Sequence, residues 1–361
     1  MSRFVTLSKK DSEFQSYLLG TFSETERALP IQSLNVNTLN EQVTFKIVPI
    51  SSLAMPTFMQ KWLTILRVHT LTLVLLPIFL VLVKNLADAE RFNYVVALCS
   101  CVGVALLHCA VNLRNDFYDH LSGIDRVNPE RGSRAIQQGW ITASQVKKLS
   151  WFIMILSLVA GLPALVNEPR LILLVALSAI GVFWGYSASP SGFKYPRWNE
   201  FGAFILLGPL LTVGFEMSGK RDFDFETVFL GSLCGWLTVF LIHLKNFESI
   251  LVQSQAELRN TINWLGFDKA KKMLLLWWLT FIFLFSSYHS LYSGKFWTVV
   301  ATLFVSIASI PFMIRLSSME SPIGSQITLL IRRGRFLYFT TLSIWLIENI
   351  WVWIDHNANL R

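Results

Sequence analysis

Asn112, Asn115, Asp116, Asp119 and Asp125 fall within one short stretch that follows an apolar run. If that run continues as a helix, Asn112, Asp116 and Asp119 stand at i, i+4 and i+7 and share one face. Carboxylates gathered at a membrane boundary repel one another and are costly to desolvate. A divalent cation offsets both costs. Mg²⁺ takes one or two protein carboxylates and completes its shell with water and substrate phosphates. The spacing therefore reads as a Mg²⁺–diphosphate site. Arg126, Arg131 and Arg134 follow, and guanidinium pairs with phosphate oxygens in bidentate fashion. The competing reading is a solvated acidic loop whose aspartates cap helix ends, with arginines that only mark topology.

Such a site needs elements to hold it. Of 361 residues, 53% are hydrophobic and 15% charged, against roughly 25% charged in soluble domains. A spanning helix needs about 20 mostly apolar residues. Nine blocks approach that length: Trp62–Val83, Tyr94–Leu113, Leu149–Val166, Leu171–Tyr186, Phe201–Met217, Val228–Leu244, Met273–Leu291, Phe296–Ile314 and Leu337–Trp353. Pro190, Gly192 and Pro196 make the connection between the fourth and fifth irregular. Backbone hydrogen bonds in lipid must close within each segment. The expected fold is thus all-α, a polytopic membrane protein of about nine transmembrane helices.

Lysine and arginine are shared unevenly between the two sets of loops, 17 against 7. The excess falls after the even-numbered spans and puts those loops, the aspartate segment and the N-terminus on the cytoplasmic side. The same bias explains the net charge of +8 without nucleic acid, since no separate basic domain is present. Residues 1–60 are polar, lack the apolar core of a cleavable leader, and are expected to form a partly disordered extension. Residues 61–361 then form the membrane domain. Cys99, Cys101, Cys109 and Cys234 lie in apolar runs without metal-site spacing and read as packing residues. No motif indicates an oligomer.

Asn115-Asp116 and Asp119, then Ser122-Gly123-Ile124-Asp125, resemble the first aspartate motif of the UbiA prenyltransferase superfamily. The Ser-Gly-x-Asp variant, with Arg134 to Gln137, Gly139, Ile141 and Thr142, is most similar to its 1,4-dihydroxy-2-naphthoate branch. Trp62, Arg67, Thr70 and Pro77 resemble that branch's first helix, with Val68 where proline is usual. Tyr186-Ser187, Lys194-Tyr195, Glu200 and Gly208-Pro209 resemble its fourth loop and fifth helix. The resemblance implies helices around a central cavity in a bacterial inner membrane, and transfer of an isoprenyl group from a polyprenyl diphosphate to an aromatic quinone precursor. It implies that Asp116, Asp119 and Asn112 hold Mg²⁺ and diphosphate, with Asn115 beside them and Asp125 supporting the metal. Arg67, Arg134 and Lys194 would bind phosphate oxygens, and Tyr186 would lie near the diphosphate end of the chain.

The family's second aspartate motif follows the sixth span. Here residues 243–259 contain no Asp. Asn246 stands where the first Asp is expected and would serve the metal without charge. Lys245 is a candidate for direct diphosphate contact. Glu248 and Glu257 are weaker substitutes, because Glu248 falls nearly opposite Asn246 on a helix. The loss leaves a second reading, an inactive relative that binds a prenyl lipid or quinone or scaffolds partners. A transporter is a more distant third, since no internal repeat is evident.

Overall fold

The computed structural model of the chain describes residues 3–36, 38–88, 92–127, 132–170, 178, 181–185, 199–248, 250, 261–322 and 325–359. Tyr186, Lys194 and most of the fourth expected span lie outside the described residues, as do Arg131, Glu257 and Arg259.

The first sixty residues are not the polar, partly disordered stretch expected from composition. They form β1 (Arg3–Ser8), α1 (Phe14–Leu19), β2 (Glu26–Leu34) and β3 (Gln42–Pro49). The strands make an antiparallel sheet in the order β1-β3-β2, so the fold is helical with an added sheet rather than all-α. Alternation drives it: Val43, Phe45 and Ile47 of β3 face one side and bury with Phe14 and Leu18 of α1.

The membrane helices follow. α2 (Phe58–Ile65) begins at a capping box in which Thr57 and Gln60 bond reciprocally. A 3-10 turn, Val68–Leu71, joins it to α3 (Thr72–Lys84). The two together make one apolar pair bent by 46°, where the sequence read as a single span. α4 (Tyr94–Leu121) and α5 (Ala143–Asn167) pack closely along their length, with Thr142 and Gln145 capping α5. α6 (Asn199–Leu207) and α7 (Pro209–Lys220) meet at Gly208. α8 (Phe225–Glu248), α9 (Thr261–Tyr292), α10 (Lys295–Ser317) and α11 (Ser325–Asn359) complete the bundle.

Among the described residues, six helices are long and apolar enough to cross a membrane, or seven if the bent pair is one span. Their outward faces are what lipid requires. Leu98 on α4, Val159 on α5 and Leu303 on α10 are all more than half exposed. The core lies among α8, α9, α10 and α11, where Phe240, Trp278, Phe281 and Phe312 are fully buried.

Candidate diphosphate site

The apolar run of α4 passes into the aspartates without a glycine or proline to stop it, and the helix continues to Leu121. Asn112, Asp116 and Asp119 therefore share a face as expected. The three aspartates are buried: Asp116 is 3% exposed, Asp119 1% and Asp125 1%. Asp119 accepts a hydrogen bond from Asn115 Nδ2 at 3.0 Å. Asp116 is held from two sides. Its Oδ2 accepts the backbone N–H of Ser133 at 3.1 Å. Its Oδ1 lies 3.3 Å from Arg67 Nη1 and takes part in no hydrogen bond.

Asp116 and Asp125 converge at Gly132. A Cβ built there would sit 3.1 and 3.3 Å from the Asp125 carboxylate oxygens and 3.4 Å from Asp116 Oδ1. Two buried carboxylates thus face one small space, and Asp116 Oδ1 takes part in no hydrogen bond there. That donor set, all oxygen and negative, suits a hard divalent cation. Among the described residues no three His, Cys, Asp or Glu side chains converge to hold a metal. Mg²⁺ fits such an incomplete shell, because water and phosphate oxygens supply the rest.

Arg67 sits in the left-handed region, with φ of 52°. That conformation costs a non-glycine residue about 1 kcal/mol or more. Four described non-glycine residues take positive φ, and Arg67 and Arg134 are two of them. A polar brace holds Arg67 in place. Its carbonyl accepts the Thr70 hydroxyl at 2.8 Å. Thr70 Oγ1 in turn accepts Asn112 Nδ2 at 2.9 Å and lies 2.9 Å from His108 Nε2. The hydroxyl proton is already committed to Arg67, so His108 donates through Nε2. Asn112, expected to contact the ligand, turns its amide nitrogen to this brace. Arg134 donates to the backbone carbonyl of Asp125 and so anchors the segment that carries that carboxylate.

A cavity of about 390 Å³ opens beside these groups, lined by Leu63, Thr64, Val68, His69, Gly132 and Ser133. The bend between α2 and α3 forms one wall and the Gly132–Ser133 segment the other. Arg67, Lys245 and Arg335 all act electrostatically on the His69 ring, which places the end of α8 near the same mouth. Lys245 is exposed there and Asn246 is buried. Glu248 lies 3.7 Å from Arg335.

The UbiA prenyltransferase family pattern matches residues 74–322. The chain belongs to the UbiA prenyltransferase family. It is 26% identical over 255 residues to the 1,4-dihydroxy-2-naphthoate octaprenyltransferase of Escherichia coli K12, covering 66% of this chain and 80% of that one. Among solved structures it resembles a UbiA homolog from Archaeoglobus fulgidus bound to DMAPP and Mg²⁺, with a TM-score of 0.58 and 16% identity. That match covers 81% of this chain and 99% of the other. A digeranylgeranylglyceryl phosphate synthase gives a TM-score of 0.57 at 17% identity, covering 81% and 98%. Both structures share the UbiA fold.

Two charged groups have partners that the sequence did not indicate. Arg114, counted only as a topology charge, is buried among the rings of Phe183, Trp184, Tyr118 and Trp151, whose centroids lie 4.6 to 5.6 Å from its guanidinium carbon. Cation–π attraction stabilises it there. Glu200, at the start of α6, accepts the Thr261 hydroxyl and lies 3.9 Å from His243 Nδ1. A carboxylate opening an apolar run was the available signal, but its partners are 43 and 61 residues away.

Proposed function

We propose that this UbiA-family protein transfers an isoprenyl group from a polyprenyl diphosphate to an aromatic acceptor, with 1,4-dihydroxy-2-naphthoate or a similar quinone precursor as substrate and Mg²⁺ as cofactor. The observation that carries the reading is the convergence of Asp116, Asp125 and Arg67 beside the cavity. The Escherichia coli relative supports the choice of acceptor. The solved Archaeoglobus structure, which holds both DMAPP and Mg²⁺, supports the choice of metal. The site would face the cytoplasm of an inner membrane, with the prenyl chain running between apolar helix faces.

Asp116 and Asp125 would hold Mg²⁺, with Asp119 behind them. The metal supplies charge neutralisation on the leaving diphosphate. Arg67 and Lys245 meet phosphate oxygens directly, and Asn115 keeps Asp119 oriented. Lys194 and Tyr186 retain the phosphate and allylic-end roles implied by the resemblance. Asn246 offers a neutral oxygen on the opposite flank. In the reaction the C1–O bond of the allylic diphosphate breaks and its electron pair leaves with diphosphate. A ring carbon of the acceptor supplies the pair for the new C–C bond, and the ring regains aromaticity by releasing a proton from that carbon, or carbon dioxide where that carbon bears the carboxylate.

The absence of Asp from residues 243–259 favours the second reading, a prenyl-lipid or quinone binder. Purified protein in nanodiscs separates the two. It is given Mg²⁺, an allylic diphosphate, and 1,4-dihydroxy-2-naphthoate or 4-hydroxybenzoate. Metal-dependent prenylation of the naphthoate is the expected result. Binding of prenyl diphosphate with no product, beside an active relative in the same preparation, would establish the binder instead.

A further inference from the structure

The N-terminal sheet lies before the part of the chain that matches the family, yet it bonds to the aspartate segment. Arg126 and Glu41 form an ion pair in which both side chains are 2% exposed. Arg126 also donates to Ser33 Oγ of β2 at 2.9 Å and to the His120 carbonyl at 2.6 Å. A second tie comes from α1, where the Leu18 carbonyl lies 2.9 Å from His120 Nε2. A carbonyl only accepts, so His120 donates through Nε2 and, as a neutral ring, accepts at Nδ1. Gln137 Nε2 lies 3.3 Å from that Nδ1 and 3.4 Å from Asp125 Oδ2. Its two protons serve both. A line of hydrogen bonds thus runs from α1, which packs against the sheet, through His120 and Gln137 to the carboxylate that faces Gly132.

The contact is also closely packed. Gly123 has φ of +81°, and a Cβ there would lie 2.6 Å from both Val36 Cγ1 and Arg126 Nη2. Only glycine fits between the sheet and the guanidinium. The space left between α1, β2 and the start of α5 is about 10 Å³, room for about one water.

We infer that the N-terminal sheet and the helix α1 packed on it form a positioning element of the proposed transfer site, with Glu41 acting through Arg126, and Leu18 through His120 and Gln137, to set the Asp125 carboxylate beside Asp116. The inference rests on the proposed function, because it assigns a task to Asp125. Glu41 touches neither metal nor substrate in this scheme. Its effect reaches them only by fixing the Ser122–Arg126 segment.

The test is calorimetric binding of inorganic pyrophosphate with Mg²⁺ to the full chain in nanodiscs. Loss of a group that orients a metal ligand typically costs about 10- to 100-fold in metal affinity, so Glu41→Gln is expected to weaken binding by about tenfold. Glu41→Asp should restore part of the loss. Ser33→Ala leaves no buried charge unpaired and serves if Glu41→Gln does not fold; it should weaken binding by about threefold, the equivalent of a modest hydrogen bond. Asp125→Asn combined with Glu41→Gln should bind no worse than Asp125→Asn alone, because both act through one carboxylate. Additive losses, or binding by Glu41→Gln and Ser33→Ala within twofold of the wild type, would overturn the inference and leave the proposed function standing. Failure of the wild-type protein to bind pyrophosphate with Mg²⁺ would overturn both.

Discussion

Arg67→Met is expected to move two affinities in opposite directions. The guanidinium lies 3.3 Å from Asp116 Oδ1, with side chains 11% and 4% exposed. Without ligand, Arg67 therefore occupies the place of a cation. Two unit charges about 4 Å apart interact by roughly 4 kcal/mol at an effective dielectric of 20. Residual solvent and relaxation leave about a third to two thirds of that, roughly 1.4 to 2.7 kcal/mol. Removing the competing cation should thus tighten binding of a divalent metal alone by about 10- to 100-fold. Diphosphate loses a charge-assisted partner worth roughly 1.5 to 3 kcal/mol, so pyrophosphate binding should weaken by about tenfold or more. Mn²⁺ shares the oxygen preference of Mg²⁺ and reports through its electron paramagnetic resonance signal. The assay is a Mn²⁺ titration of wild type and variant in nanodiscs, with and without pyrophosphate. If Mn²⁺ alone bound the variant no more tightly than wild type, Asp116 Oδ1 would not be a metal ligand and the site assignment would fail.

Asp116→Asn should abolish prenyl transfer and leave membrane insertion intact; normal product from cells lacking any other such enzyme would refute its role. Asn246→Asp should raise Mg²⁺ affinity or turnover by restoring charge at the end of α8, and an unchanged Mg²⁺ titration would show that this turn does not meet the diphosphate. Asp224 lies between α7 and α8. Partial burial raises its pKa, but Lys84, which donates at 2.6 Å to both carboxylate oxygens, and the Thr227 N–H together hold it below the ordinary value. A depressed carboxylate stabilises the fold above its unfolded pKa, about 3.9, and that stability is lost as pH falls through the folded value. Asp224→Asn should therefore lower Tm at pH 7 by the equivalent of about 1 kcal/mol or less, given its exposure. The gap should close as pH falls below about 4; a gap that persisted in acid would locate the effect elsewhere.

Much of the site was legible because it depends on local spacing. The i, i+4, i+7 placement of Asn112, Asp116 and Asp119 needed only that α4 continue, and nothing in its sequence stops it. The bend at Arg67 was not legible. Pro77, the visible helix breaker, sits inside α3, while the chain turns at an arginine in the left-handed region. That turn is held by Thr70 together with His108 and Asn112, which lie 38 and 42 residues further along the chain. The sheet was hidden by composition. Val43, Phe45 and Ile47 alternate with Gln42, Thr44 and Lys46, a half-buried strand pattern, but the surrounding polarity reads as disorder when averaged. The burial of Arg114 depends on rings from three separate segments, which no spacing reveals.

The missing second aspartate motif weighs less against activity once the charges are set out by position. A carboxylate pair with one Mg²⁺ is neutral before diphosphate arrives, whereas a lone lysine carries a full positive charge. On the α4 flank, Asp116 and Asp125 need a cation to attract diphosphate at all. On the α8 flank, Lys245 and Arg335 act on the same mouth with Asn246 between core residues, Glu248 lies 3.7 Å from Arg335, and residues 243–259 contain no Asp. In the proposed site the basic residues of that flank outnumber the acidic ones and would attract phosphate without a metal. The cost is in range and precision. An exposed ammonium is screened within about 8 to 10 Å at physiological salt, and lysine acts as a point charge with no fixed geometry. Exact placement of the diphosphate therefore falls to the α4 flank, where Arg67 is braced by three side chains and Asp125 is tied to the sheet. A site that relies on one metal has most need of that rigidity.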